Sequence, residues 1–286
     1  MGNIYWLASY PKSGNTWMRI LLANYLWAKD KPLDINQAIG GWIASDRQAF
    51  DNHVGIEASD LLPHEIERYR PRVYDFISAK VKEPLFLKIH DAFTYSTQGH
   101  PVISKAATGG VIYLMRNPLD VAVSFAHHSR TSVKRITEVM GDPTFTFLNN
   151  PSAISVQLPQ RLLTWSGHVN SWVTESGLRV LVVRYEDMKV DPIANFTRVI
   201  NFCGFDADPA RVEMAVEFAR FERLQAHEAE HGFVEKVSAT ATFFRRGVTG
   251  GWRDELTPDL VDRIVTEHRS VMQHHGYLTA DGELVY

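Results

Sequence analysis

The chain has 286 residues, of which 45% are hydrophobic and 11% aromatic, so it can bury one large core. Its 30 basic and 33 acidic residues give a formal net charge of −3, which excludes the overall positive field that nucleic-acid binding favours. No apolar run approaches the roughly 20 residues of a membrane-spanning helix, and the single cysteine, Cys203, excludes an internal disulfide. We expect a cytoplasmic protein with one domain over residues 1–286 and with no nucleic-acid partner and no membrane span.

A short loop suited to an anion joins the first predicted strand to the first predicted helix. An apolar run over residues 4–10 predicts the strand, and an amphipathic run over 17–27 predicts the helix. Between them, Pro11 ends the strand and Gly14 permits a tight turn, so the first amides of the helix point at one spot. Lys12 adds a cation. The hydrogen-bonding side chains of the loop are Ser13, Asn15 and Thr16. We predict that this loop binds the terminal phosphate of a nucleotide-like donor.

The order of residues in this loop differs from that in nucleoside-triphosphate enzymes. Their loop ends in Gly-Lys-Ser/Thr and places a hydroxyl on Mg²⁺, whereas Lys12 precedes Ser13 and Gly14 here. The His, Cys, Asp and Glu residues of the chain also lack metal-ligand spacing. We therefore expect a phosphate site without a metal.

Two further predicted strands lead into polar residues. These strands cover residues 84–90 and 110–115, and a helix over 121–128 follows the second. The polar residues at or beyond the strand ends are Lys88, His90, Arg116 and Ser124. Because the carboxyl ends of parallel strands form the rim of active sites in α/β folds, we expect these side chains on the same rim as Lys12.

The rest of the chain alternates helices with strands. Predicted helices cover residues 62–81, 160–175, 191–203 and 208–223, and a last helix begins at Thr257-Pro258. A fourth strand covers 178–187, while 29–60, 131–159 and 226–240 lack clear periodicity. This alternation predicts an α/β fold with a central parallel sheet flanked by helices.

Five segments, in this order along the chain, resemble motifs of the cytosolic-type sulfotransferases. They are residues 10–17 (Tyr-Pro-Lys-Ser-Gly-Asn-Thr-Trp), 88–90 (Lys-Ile-His), 113–124, 183–188 (Val-Arg-Tyr-Glu-Asp-Met) and 244–252 (Phe-Arg-Arg-Gly-Val-Thr-Gly-Gly-Trp). That family moves a sulfuryl group from 3′-phosphoadenosine 5′-phosphosulfate (PAPS) to a hydroxyl or amine. The resemblance implies its single-domain fold, with a P-loop-like phosphosulfate-binding loop as in nucleoside kinases.

The resemblance also implies where PAPS binds. Residues 10–17 would bind the 5′-phosphosulfate, and residues 113–124 together with 244–252 the 3′-phosphate, for which arginine forks are suited. Trp17, Tyr185 and Phe221 would contact the adenine. The implied donor-binding residues are Lys12, Ser13, Gly14, Asn15, Thr16, Trp17, Arg116, Ser124, Tyr185, Phe221, Arg245, Arg246 and Gly247.

Four residues would carry out the transfer. His90 is the expected general base, since a neutral imidazole titrates near physiological pH. By resemblance, Lys12 would neutralise the leaving oxygen, Ser124 would bind Lys12 until the acceptor arrives, and Lys88 would support the sulfuryl oxygens. His127 and His128 are rival bases.

Two other functions stay open: an ATP-dependent small-molecule kinase and a non-catalytic nucleotide-binding module. The expected acceptor is a small aromatic or apolar molecule, because six aromatic residues occur in candidate pocket walls. They are Trp42, Phe50, Phe93, Tyr95, Phe145 and Phe147. A homodimer also stays open, since Arg253, Thr257-Pro258 and Asp262 replace the Lys, Thr-Val and Glu of the dimer contact in vertebrate relatives.

Overall fold

A computed structural model describes residues 2–38, 43–149, 154–236 and 241–286; Trp42, a candidate wall residue, lies outside these ranges. The strands are β1 (Ile4–Ser9), β2 (Leu85–Ile89), β3 (Thr108–Met115), β4 (Thr146–Phe147), β5 (Gln160–Arg161) and β6 (Val180–Arg184). The α-helices are α1 (Asn15–Trp27), α2 (Ile35–Ala38), α3 (Arg47–Val54), α4 (Pro63–Lys80), α5 (Pro118–Ser129), α6 (Val133–Met140), α7 (Trp165–Asn170), α8 (Tyr185–Val190), α9 (Pro192–Phe202), α10 (Pro209–Phe218), α11 (Phe221–His231) and α12 (Pro258–His274), and a π-helical turn, Ser171–Glu175, continues α7. No described helix is long and apolar enough to cross a membrane.

The central sheet has the strand order β2-β1-β3-β6. β1 pairs in parallel with β2 on one side and with β3 on the other, with Tyr5 opposite Phe86 and Gly110. Every residue of β1 and β3 is buried, as expected for strands covered on both faces of a parallel sheet. The α/β prediction is therefore confirmed.

The chain forms two compact units. The first comprises the described residues of Met1–Tyr10, Gly41–Met115 and Val139–Val182, and the second those of Pro11–Gly40, Arg116–Glu138 and Val183–Tyr286. The first unit contains β1 to β5, and the second contains α1, α5 and α8 to α12. One domain over residues 1–286 stays a prediction.

Several predicted elements have other bounds than the sequence indicated. The fourth strand ends at Arg184, because Tyr185 begins α8. The predicted helix 160–175 begins only at Trp165, where the Thr164 hydroxyl accepts a hydrogen bond from the amide of Gly167 at 2.8 Å. The predicted helix 208–223 divides into α10 and α11. Helices and short strands also occur where periodicity was unclear, namely α2, α3, α6 and β4.

Candidate functional site

The loop before α1 has the backbone of an anion site. Lys12 and Gly14 both have left-handed φ angles, of 70° and 99°. A Cβ atom on Gly14 would lie 3.0 Å from the ring of Tyr185, so glycine is needed for its space as well as its φ. The Ser13 hydroxyl is buried and has no hydrogen-bond partner among the described residues. A buried hydroxyl beside the N-terminus of a helix is suited to an anionic ligand.

A carboxylate contacts the first turn of α1. The Thr16 hydroxyl donates a hydrogen bond to Glu235 Oε2 at 2.8 Å, and Arg19 Nη1 lies 2.7 Å from Glu235 Oε1. Negative charge at a helix N-terminus is favourable. The Lys12 ammonium lies 4.1 Å from the centre of the Phe243 ring. Sequence reasoning missed Glu235, because nothing in its local pattern links it to a helix more than two hundred residues earlier.

Arg116 is fixed by three contacts, one of which is to the loop before α1. Its Nη1 donates to the main-chain oxygen of Lys12 at 3.2 Å, and its Nη2 to that of Val248 at 3.1 Å. Its guanidinium carbon lies 4.4 Å from the centre of the Tyr185 ring. Arg116 Nε is buried without a hydrogen-bond partner among the described residues. A guanidinium fixed in this way retains a donor for a phosphate.

The turn after Arg116 is fixed by capping. Asn117 caps α5, since its side-chain oxygen accepts a hydrogen bond from the Leu119 amide at 3.0 Å, and Pro118 begins the helix. The main-chain amide of Asn117 donates a hydrogen bond to Glu186 Oε1 at 3.0 Å. Burial raises the pKa of Glu186, although this hydrogen bond opposes the shift. Ser124 lies on α5 and is half-buried.

The three predicted adenine contacts lie beside other predicted donor residues. Trp17 packs edge-on against Tyr185, with ring centres 5.7 Å apart, and donates its indole hydrogen bond to the Ala219 main-chain oxygen at 3.0 Å. Phe221 packs on Gly247, where a Cβ would lie 2.3 Å from its ring. The structure thus brings Trp17 and Tyr185 together with Gly14 and Arg116, and Phe221 with Gly247.

Arg245 and Arg246, the other predicted phosphate ligands, form ion pairs. Arg245 Nη1 lies 3.0 Å from Glu255 Oε1, and Arg246 Nη2 lies 2.6 Å from Asp254 Oδ2. Burial alone would raise the pKa of Glu255, but hydrogen bonds from His127 and Arg245 lower it. The two arginines are exposed. A phosphate would compete with these carboxylates for them.

The rival bases have other contacts. His127 Nε2 lies 2.5 Å from Glu255 Oε2, so a carboxylate binds the nitrogen that a base would need. The His128 ring packs edge-on against Phe243, with ring centres 6.3 Å apart.

His90 belongs to the first unit and follows β2 directly. Its Nδ1 lies 2.9 Å from the main-chain oxygen of Ser9, the last residue of β1, and 3.2 Å from the Ser9 hydroxyl. A carbonyl oxygen only accepts hydrogen bonds, so Nδ1 carries the proton in the neutral ring. Nε2 is then the basic nitrogen. Lys88 lies on β2 and is half-buried.

Ionic and aromatic contacts fix the residue after His90. Arg70 binds both carboxylate oxygens of Asp91, at 2.8 and 2.9 Å, and both side chains are almost fully buried. The Trp172 indole donates to the Asp91 main-chain oxygen at 2.9 Å. Sequence reasoning did not single out these residues. Among the described residues, no three His, Cys, Asp or Glu side chains form a candidate metal site.

Comparisons with known proteins find relatives across the whole chain. Flavonol 3-sulfotransferase of Flaveria bidentis is 23% identical in a 274-residue alignment that covers 92% of this chain and 79% of that protein. Cytosolic sulfotransferase 17 of Arabidopsis thaliana is 25% identical, covering 97% and 77%. Sulfotransferase 2A6 of Rattus norvegicus is 27% identical, covering 88% and 78%.

Solved structures share the fold. A mouse sulfotransferase, SULT7A1, complexed with PAP has a TM-score of 0.58 at 20% identity, covering 93% of this chain and 84% of that one. Retinol dehydratase in a complex with retinol and PAP has a TM-score of 0.59 at 20% identity, covering 100% and 83%. The expected sulfotransferase fold is therefore confirmed.

The sulfotransferase domain model matches residues 4–276. This match spans the strand, loop and helix at the start of the chain, His90, Arg116 and the Arg245-Arg246-Gly247 segment. The chain therefore belongs to the sulfotransferase domain family and is an enzyme of the sulfuryl-transferring class.

Proposed function

We propose that this enzyme transfers the sulfuryl group of PAPS to a hydroxyl or amine of a small acceptor, with His90 as the general base. The observation that supports the donor best is the buried, unpartnered hydroxyl of Ser13, in a left-handed loop against which Arg116 packs. Two solved structures of this fold are complexes with PAP, the desulfated form of PAPS.

The donor would bind through two groups of residues in the second unit. Ser13, Asn15, Thr16 and the first amides of α1 would bind the 5′-phosphosulfate. Arg116 and Ser124, with the Arg245-Arg246-Gly247 segment, would bind the 3′-phosphate. Trp17, Tyr185 and Phe221 would pack on the adenine. Bound PAPS supplies an activated sulfuryl group, and the protein supplies orientation and charge.

Catalysis would depend on a base and two lysines. As in phosphoryl transfer, positioning and electrostatic stabilisation dominate. His90 Nε2 would accept the proton of the attacking hydroxyl, a contribution of about 10²–10⁴-fold. Lys12 would neutralise the leaving oxygen, with Ser124 binding Lys12 beforehand, and Lys88 would stabilise the sulfuryl oxygens.

The proposed acceptor is aromatic or apolar. Phe50 and Phe93 are each only 3% exposed and belong to the core, so they are poor candidates for an acceptor wall. Tyr95 is exposed, and Phe145 and Phe147 are half-buried, which leaves them as candidates. We further propose a cytosolic location, one functional domain and metal-independent transfer.

Radiolabelled PAPS supplied with a panel of phenols, sterols, aliphatic alcohols and amines tests this proposal. We expect acceptor-dependent labelling that survives exhaustive chelation. A parallel reaction with radiolabelled ATP and Mg²⁺ tests the kinase alternative. Phosphate labelling without sulfuryl labelling would overturn the proposal, and so would tight PAP binding without labelling of any acceptor.

A further inference from the structure

A second, fully buried histidine contacts the main chain of His90. His168 lies on α7 and its side chain has 0% exposure. His168 Nε2 lies 3.0 Å from the main-chain oxygen of His90. Because that oxygen only accepts, His168 Nε2 carries a proton and donates it in the hydrogen bond.

This hydrogen bond also determines the role of Tyr113. With the proton on Nε2, the neutral His168 ring has an acceptor at Nδ1, and the Tyr113 hydroxyl lies 2.7 Å from that atom. The hydroxyl therefore donates. Tyr113 is 1% exposed on β3. Burial lowers the pKa of His168 to about 4, which is consistent with a neutral ring at working pH.

His90 is thus fixed at two points. Ser9 binds its ring at Nδ1, and His168 binds its carbonyl oxygen. The two contacts have different consequences. The Ser9 contact selects the tautomer, whereas the His168 contact orients the peptide group from which the ring projects.

We propose that Tyr113 and His168 are positioning residues for His90. By orienting the His90 peptide group, they keep Nδ1 on the Ser9 oxygen and leave Nε2 as the proton acceptor. No proton passes along this chain, because it ends at a carbonyl oxygen. The inference rests on the proposed role of His90 in sulfuryl transfer.

Three variants separate the contacts. His168→Leu removes the donor to His90, whereas His168→Gln retains an N–H at a similar position. Tyr113→Phe removes only the hydroxyl. The matched control is His268→Leu, since His268 is also buried, on α12, and its pKa is likewise lowered to about 4.

Turnover is measured per PAP-binding site, so that loss of folded protein does not count. We expect kcat of His168→Leu to fall about 10- to 100-fold, since small misplacements have large rate effects. The affinity for PAP should stay unchanged. His168→Gln should recover most of the lost kcat, and the kcat of Tyr113→Phe should lie between those of His168→Leu and His168→Gln. If His168→Leu fails to fold, the kcat values of His168→Gln and Tyr113→Phe still test the proposal. A positioning role requires a smaller loss of kcat in His168→Gln than in Tyr113→Phe.

Nitrogen NMR of labelled histidine gives a readout independent of activity. Wild-type His90 should show the Nδ1–H tautomer, and the second tautomer should grow in His168→Leu and Tyr113→Phe but not in His268→Leu. Unchanged tautomer and kcat in both variants would overturn the positioning role alone. A His90 variant with normal turnover would instead overturn the proposed role of His90 as the general base, and the inference with it, whereas absent sulfuryl labelling in the wild-type enzyme would overturn the proposed function.

Discussion

The Nδ1 atom of His90 lies 2.9 Å from the main-chain oxygen of Ser9, across neighbouring parallel strands. β1 ends at Ser9 and β2 one residue before His90, so the imidazole lies at the edge of the sheet where the two parallel strands end. This contact fixes the ring in the tautomer whose Nε2 accepts a proton.

The first prediction concerns the basic nitrogen of His90. His90→Asn retains an amide donor near the Nδ1 position but has no Nε2, so kcat should fall by about 10²–10⁴-fold while PAP affinity stays unchanged. His128→Asn is the matched control for the rival base and should retain near-normal turnover. Steady-state kinetics and calorimetric PAP binding measure both. Loss of turnover in His128→Asn alone would contradict the assignment.

The second prediction concerns the loop glycine. Gly14→Ala should lower PAP affinity and destabilise the fold, because its φ is 99° and its Cβ would lie 3.0 Å from Tyr185. Gly55→Ala is the matched control, since its φ is 75° but, among the described residues beyond its chain neighbours, no atom lies within 4 Å of a Cβ there. The left-handed φ alone costs about 1–2 kcal/mol in either variant. Urea unfolding and PAP titration should show an affinity loss only for Gly14→Ala; equal affinities would contradict this.

The third prediction concerns Glu235, whose carboxylate accepts the hydrogen bond of Thr16. If the donor's phosphosulfate binds that turn of α1, the two anions compete. Glu235→Gln should therefore bind PAP more tightly, and the gain should shrink at high salt. Glu230→Gln changes the net charge by the same amount at an exposed position on α11, and it should leave PAP affinity unchanged. Weaker PAP binding by Glu235→Gln would mean that the carboxylate assists the donor instead.

The fourth prediction concerns acid stability. Burial lowers the pKa of His168 and His268 from 6.5 to about 4. Between these pH values the unfolded chain binds more protons than the folded one, so the free energy of unfolding should fall as the pH drops from 6.5 towards 4. Each histidine contributes at most about 3 kcal/mol. Urea unfolding of His268→Gln should give a shallower pH dependence, and an unchanged slope would contradict the role of that histidine.

Local patterns predicted the parts of the site that local physics determines. β1 and the glycine turn follow from an apolar run and a residue that permits positive φ, and Pro118 marks the start of α5. The resemblance supplied Tyr185 and Phe221, which pack on Gly14 and Gly247. The donor-loop glycine is therefore explained by a residue far along the chain.

The contacts of Glu235, His168 and Arg70 were not predictable in this way. Each contacts its partner across a long stretch of chain, and a buried histidine or an ion pair leaves no periodic signal in the sequence. The predicted helix 208–223 was wrong for a related reason. A short break at Ala219–Arg220 separates α10 from α11, and Ala219 accepts the Trp17 hydrogen bond there.

A crystal structure of the enzyme with PAP tests the central claim most directly. We predict that the 5′-phosphate binds the Ser13 hydroxyl and the first amides of α1, and that the 3′-phosphate binds Arg116 and the Arg245-Arg246-Gly247 segment. A nucleotide bound away from Lys12 and Arg116 would contradict the account.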